Sequence, residues 1–243
     1  MTTTRTVVES LVTERVRHKF PFQALLIGDD GLLTFGRHAI ARAARHGITA
    51  EGDVASMALV MVLLGSELDE DPLLPWAAAL LAEPRATPRD RAAQLLAAAL
   101  DFADQTAGCH NEALGAALGR IRRHPFMTAT PPTAPSDWLA LLEGLHPERA
   151  SAMPRDQLVA LSERARDMAL GYELNEPRAA AMLGVCLFEL GVRFDRDPLF
   201  PWASAALHGR ADDENIAPDR LFRFYAAAML YVERLLSAVN LRR

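Results

Sequence analysis

Asp69 and Asp71, two residues apart in DEDPLLPWA, have the type and spacing that can hold a hard cation, because Mg²⁺ and Ca²⁺ take clustered carboxylate oxygens. The pattern returns as Asp195 and Asp197 in DRDPLFPWA. The residues that follow suggest a different job. Asp71 and Asp197 each precede a proline, Pro72 and Pro198. An aspartate N-cap followed by proline at the first helical position is a common helix start, and the residue before proline is pushed out of helical geometry. Pro75 and Pro201 then fall in or near the first turn, where a missing N–H does little harm. Trp76 and Trp202 can anchor the new helix, and Asp69 and Asp195 can accept loop N–H groups. Glu70 is matched by Arg196, so a third acidic ligand is missing from the second copy. The expectation is therefore a structural joint, set against a partner-binding loop or a metal site. No metal, cofactor or catalytic residue is assigned.

Other constellations are weaker. Glu143 and His146 in EGLH have the spacing of half a di-iron bundle site, but no second ExxH occurs, and packing is the expected role of His146. Cys109, His110 and Glu112 crowd together in GCHNE. Nucleophile and base are usually distant in sequence, and neighbours on a turn are expected to point different ways. His18, His38, His46, His124 and His208 lie near charged or helix-end positions, which suits surface or capping roles. GxSxG, HExxH, GxxxxGK[ST] and GxGxxG are all absent. Phe222, Phe224, Tyr225 and Tyr231 recur at helical spacing and are read as core, with a partner-binding face as the alternative. Met57, Met61, Met182 and Met229 are expected to fill the core, and Cys186 to be a buried thiol.

The elements that must position these residues are helices. Half of the 243 residues are hydrophobic, glycine numbers only 14, and alanine and leucine dominate, while strand-type runs are nearly missing. The formal charge is −5, and the one dense basic cluster, Arg120, Arg122 and Arg123, suits the negative end of a helix dipole. An acidic chain without a basic stripe predicts no nucleic-acid partner. Arg5, Glu9, Glu14 and Arg15 interrupt the stretch a signal peptide would need, and VASMALVMVLLG is too short to span a bilayer. A soluble cytoplasmic protein without a membrane partner is expected.

The chain also reads as a duplication. Trp76 and Trp202 are 126 positions apart, and the same offset pairs Gly65 with Gly191, Leu64 with Leu190, Ala43 with Ala169, Asp30 with Asp156 and Pro21 with Pro147. The fold class expected is all-α, a tandem repeat of two similar units of about five helices each. Unit one is placed at 1–126 with an extra helix near 111–123, a linker at 127–135, and unit two at 136–243. In unit one, helices are expected from Thr4 to Lys19, ended by Pro21, and from Leu32 to His46, capped by Asp29 or Asp30. Further helices are expected after Thr49, through to about Glu83, and from a capping box at Thr87 and Asp90. In unit two, helices should open at Ser136, Pro154, Asn175 and Pro218. The helix between Thr49 and Gly65 is apolar nearly all round and should be the buried centre.

With these residues in place, the segment from Gly47 to Pro84 resembles uncharacterised helical proteins encoded near bacterial type VI secretion genes. Gly47, Ile48, Glu51, Asp53, Val54, Gly65, Asp69, Asp71, Pro72, Leu74, Pro75, Trp76 and Ala77 carry the likeness. The second copy keeps Gly191, Phe194, Asp195, Asp197, Pro198, Phe200, Pro201, Trp202 and Ala203 and departs at its helix start. The resemblance implies a non-enzymatic accessory protein, an adaptor or chaperone whose partner is a secretion effector or spike component. The alternatives are an immunity protein that neutralises a cognate toxin, and an enzyme with polar residues converging between the two units.

Overall fold

The computed structural model describes the backbone at 2–208 and 216–240, and side chains at 7–208 and 220–239. Among the described residues every regular element is helical and none is a strand. The chain forms two compact units, Met1–Asp101 with Gly191–Pro201, and Phe102–Leu190 with Trp202–Arg243. The second copy of the aspartate motif thus belongs to the first unit up to Pro201.

In the first unit, α1 (Thr2–Lys19) packs on α2 (Pro21–Arg45) and α3 (Glu51–Leu64). Pro21, expected as a stop, instead opens α2, where a residue without an N–H fits the first position. The start expected near Leu32 is a break inside α2 at Gly28, whose φ of 73° interrupts the helix. Asp29 does not cap it; its carboxylate pairs with Arg17 at 2.7 Å. Gly36 of α2 faces α1, where a β-carbon would make ordinary contact with Thr13 and Val12. Nor does Thr49 cap α3; Ala50 takes that position without a side-chain bond. Glu51 and Asp53 lie in its first turn, where carboxylates favour the positive end of the dipole. Val54, Ala55, Met57, Ala58, Val60, Met61 and Leu64 are all buried, so α3 is the unit's centre as its apolar circumference predicts. α4 (Pro75–Ala82) follows the aspartate turn, and α5 (Pro88–Ala107) opens with the expected capping box. There the Asp90 N–H donates to the Thr87 hydroxyl at 3.1 Å, while the Asp90 carboxylate accepts the Thr87 N–H.

The second unit takes the end of α5 from Phe102 and adds α6 (Glu112–Arg123), α7 (Pro135–Leu145), α8 (Pro147–Ser151), α9 (Arg155–Gly171), α10 (Pro177–Leu190), α11 (Pro201–Leu207) beyond its first residue, and α12 (Ile216–Asn240). The stretch 127–135 joins α6 to α7 within it. The N-cap of α7 is Ala134, not the expected Ser136. Asp137 accepts the N–H groups of Ala134 at 3.0 Å and Thr133 at 3.3 Å instead. The last helix begins at Ile216, ahead of the expected Pro218. At the unit's centre Trp138 is 1% exposed. Gly184 of α10 makes the room for it, since a β-carbon there would lie 2.4 Å from the indole. The residues 126 positions before this pair are Val12 and Ala58, both fully buried.

Helices open at Pro21, Glu51 and Pro75, and 126 positions later at Pro147, Pro177 and Pro201. The turns after α2 and α9 close with equivalent bonds, Ile48 N–H to the Ala43 carbonyl at 3.0 Å and Leu174 N–H to the Ala169 carbonyl at 2.8 Å. Left-handed residues sit at the same place in both, Gly47 with φ 70° and Glu173 with φ 58°.

Candidate functional site

α3 and α10 each end at a glycine in left-handed space, Gly65 with φ 100° and Gly191 with φ 94°. The chain then turns through the aspartate motif before Pro75 or Pro201 starts the next helix. Asp71 and Asp197 do not cap those helices; Leu74 occupies the N-cap of α4. Each aspartate closes its own turn: one carboxylate oxygen of Asp71 accepts the Leu73 N–H at 2.9 Å, and that of Asp197 accepts the Leu199 N–H at 2.8 Å. This is an Asx-type turn, which proline at the next position also favours. The other oxygens cross between copies. Val192 N–H donates to Asp71 at 3.1 Å, and Ser66 N–H donates to Asp197 at 2.8 Å. Ser66 and Val192 are themselves 126 positions apart, so the exchange is reciprocal. Both aspartates are 4% exposed. Burial pushes the Asp197 carboxyl up from its ordinary value, against the pull of the Leu199 and Ser66 N–H groups.

Gly191 sits at the crossing. A β-carbon there would stand 3.0 Å from the Leu64 carbonyl oxygen and 3.3 Å from Asp71. Pro72 and Pro198 are half-buried, and Pro75 and Pro201 lie exposed at their helix starts. Trp76 and Trp202 are half-buried near the starts of α4 and α11. Trp202 stacks on Tyr231 at 5.3 Å between ring centroids and tilts against Phe224 at 5.8 Å.

Asp69 faces a different set of groups. It accepts Arg42 Nε at 2.7 Å and lies 2.7 Å from His46 Nε2. Arg42, 4% exposed, also bonds Glu67 and lies 3.0 Å from Glu70. Glu67 in turn stands 3.1 Å from His38, and Glu70 is 3.2 Å from Arg45 and 3.4 Å from Arg193. Burial raises the Asp69 carboxyl, but the bonds from His46 and Arg42 win and bring it down to about 2. His38 and His46 therefore belong to a partly buried ion network and are not simple surface residues. The second copy carries Arg193 and Arg196 in place of Glu67 and Glu70, and Met168 in place of Arg42. Asp195, 4% exposed, has Arg196 3.5 Å away.

The two carboxylates of each D-x-D thus turn to different partners. In the first copy a guanidinium fills the space among three acids, and in both copies the second aspartate is committed to backbone N–H groups. Among the described residues no group of three or more His, Cys, Asp or Glu side chains is placed to hold a metal ion.

Glu143 and His146 diverge. Glu143 pairs with Arg155 at 2.8 Å, while the buried His146 ring bridges the Glu189 carboxylate at 3.1 Å and the Thr106 carbonyl at 2.9 Å. Cys109 and His110 do not point apart as expected: the sulfur lies 2.8 Å from His110 Nδ1, on exposed left-handed backbone at His110 and Asn111. Glu112 simply opens α6. On α12, Phe224 and Tyr231 are buried and Phe222 is 60% exposed. The apolar slot beside Trp202, lined also by Phe224, Met182, Met229 and Cys186, holds only about 50 Å³, and burial pushes the Cys186 thiol up. An engineered apolar cavity that binds benzene has about three times that volume, so this slot is packing space. Sequence reasoning missed Arg42 and Trp138. An arginine recurring on the apolar face of HAIARAAR was the available signal for the first, and the mid-helix glycine of α10 for the second.

No family model, curated protein or solved structure matches the chain.

Proposed function

We propose that this is a non-enzymatic accessory protein that binds another protein, an adaptor or chaperone linked to type VI secretion effectors or spike components. We infer that its architecture arose by tandem duplication of a helical unit. The reading rests on how the chemistry-bearing residues are used. The reciprocal bonds of Asp71 and Asp197 are the observation that carries it: the most conspicuous acidic motif is spent on holding backbone. Arg42 likewise pairs with Asp69, Glu67 and Glu70. Repeated helix boundaries at a constant offset support the duplication. Among the described residues no helix is long and apolar enough to cross a membrane.

A surface for a partner is available on α12. Phe222 is 60% and Leu230 49% exposed, with exposed Ala226 between them at helical spacing. Such a stripe suits the apolar face of a partner protein. The test is a native pull-down with the intact chain and with a Phe222→Asp, Leu230→Asp variant, read by mass spectrometry. One effector or spike component should be recovered at near-equal amount with the first and lost with the second. An immunity protein would instead suppress the toxicity of the protein it captures. An empty pull-down from cells running the secretion system, or equal capture by the variant, contradicts the proposal.

A further inference from the structure

The outward stripe of α6 carries its charge in an order that fits itself. Glu112 stands at its first position and Arg122 and Arg123 at its end, about 16 Å away at 1.5 Å per residue. Between them the same stripe holds only Gly115, Ala116 and Gly119. These residues form one wall of an open groove of about 720 Å³ whose other wall is α12, with Glu233 on its rim. Between its charged ends the α6 wall has nothing larger than a methyl group, so another helix axis can come close to α6, while Leu236 and Ser237 line the α12 side. The groove's two acids balance its two guanidiniums.

We propose that a second copy of the chain docks on this face, α6 against α6, antiparallel about a two-fold axis. In that register Glu112 opposes Arg123 of the second copy, and Ala116 opposes Gly119 of the second copy, twice over by symmetry. The charge order commits the face to this occupant, because an antiparallel copy sets Glu112 against Arg123 at both ends of the crossing, while Arg122 faces Ala113 and meets no like charge. Parallel docking would set like against like. The opposed helix dipoles add to the match. Arg123 now lies back over Gly119, with Nη1 3.5 Å from where a β-carbon would be. Reaching toward Glu112 of a second copy uncovers the glycine. A single helix crossing is small beside a standard interface, so the dimer is weak, reversible and weakened by salt.

The test is sedimentation velocity of the full chain from micromolar to near-millimolar concentration, with circular dichroism to confirm folding. The wild-type chain should move from monomer to dimer as concentration rises, and less so at high salt. Arg123→Glu or Glu112→Arg alone should remain monomeric, since each sets like charges together. The double variant Glu112→Arg, Arg123→Glu restores opposite charges and should dimerise again. A wild-type chain that stays monomeric throughout overturns the proposal, even if the face then captures another protein. A dimer unaffected by either single change, or a double variant that stays monomeric, also overturns it.

Discussion

Asp71 accepts the N–H of Val192, and in return Asp197 accepts the N–H of Ser66, so the two copies of one motif hold each other's helix ends. Each carboxylate spends its other oxygen on its own turn. A buried acceptor that satisfies two N–H groups is hard to replace, because both donors are left dry when it goes.

Asp71→Asn replaces one acceptor oxygen with an NH₂ that faces an N–H, and it should lower stability by about 1–3 kcal/mol in urea unfolding. Calcium and magnesium should leave the melting temperature of the wild-type chain unchanged. A rise with either ion that Asp71→Asn abolishes would falsify the structural role of the motif.

Gly191→Ala should destabilise by about 1–3 kcal/mol, from left-handed strain together with the approach of the Leu64 carbonyl and Asp71. Gly52→Ala is the control. Gly52 is in α3 with open space around it, so alanine there should be neutral or stabilising by up to about 1 kcal/mol. Equal effects at the two sites would mean that the crossing is not tight.

Much of this was legible beforehand. The buried α3, the capping box at Thr87 and Asp90, and the helix ends at His46 and Gly65 follow from local chemistry. Asp71 was misread as a helix cap because aspartate before proline serves an Asx turn equally well. Its second partner, Val192, is 121 residues away, and no local rule reaches that far. Arg42 hid for a related reason: a cation on an apolar helix face looks misplaced until the acids that meet it, from the turn after α3, are in view. The constant offset was readable, but the passage of bonds between its two copies was not.

Gly184→Ala should cost about 1–3 kcal/mol by overpacking against Trp138. Trp138→Phe should recover part of that loss, and a double-mutant cycle measures the coupling. Additive effects would place the indole elsewhere.

Acid should act through Asp69. Its folded value of about 2 lies below the ordinary 3.8, so its contribution is present above pH 3.8 and is lost as pH falls toward 2. Asp197 has the opposite sign. Its raised value makes stability fall as pH rises above 3.8. Asp69→Asn should flatten the loss of stability below pH 3.8 while lowering stability at neutral pH. An unchanged acid limb would show that another group governs it.

The reciprocal exchange can be measured residue by residue, by amide hydrogen exchange in the wild-type chain and in Asp71→Ala and Asp197→Ala. A crossed pattern beyond any general loosening is expected. Asp71→Ala selectively exposes the Leu73 and Val192 amides, and Asp197→Ala exposes those of Leu199 and Ser66. If Ser66 stays protected in Asp197→Ala, or Val192 in Asp71→Ala, the two copies do not hold each other and the reciprocal exchange is contradicted.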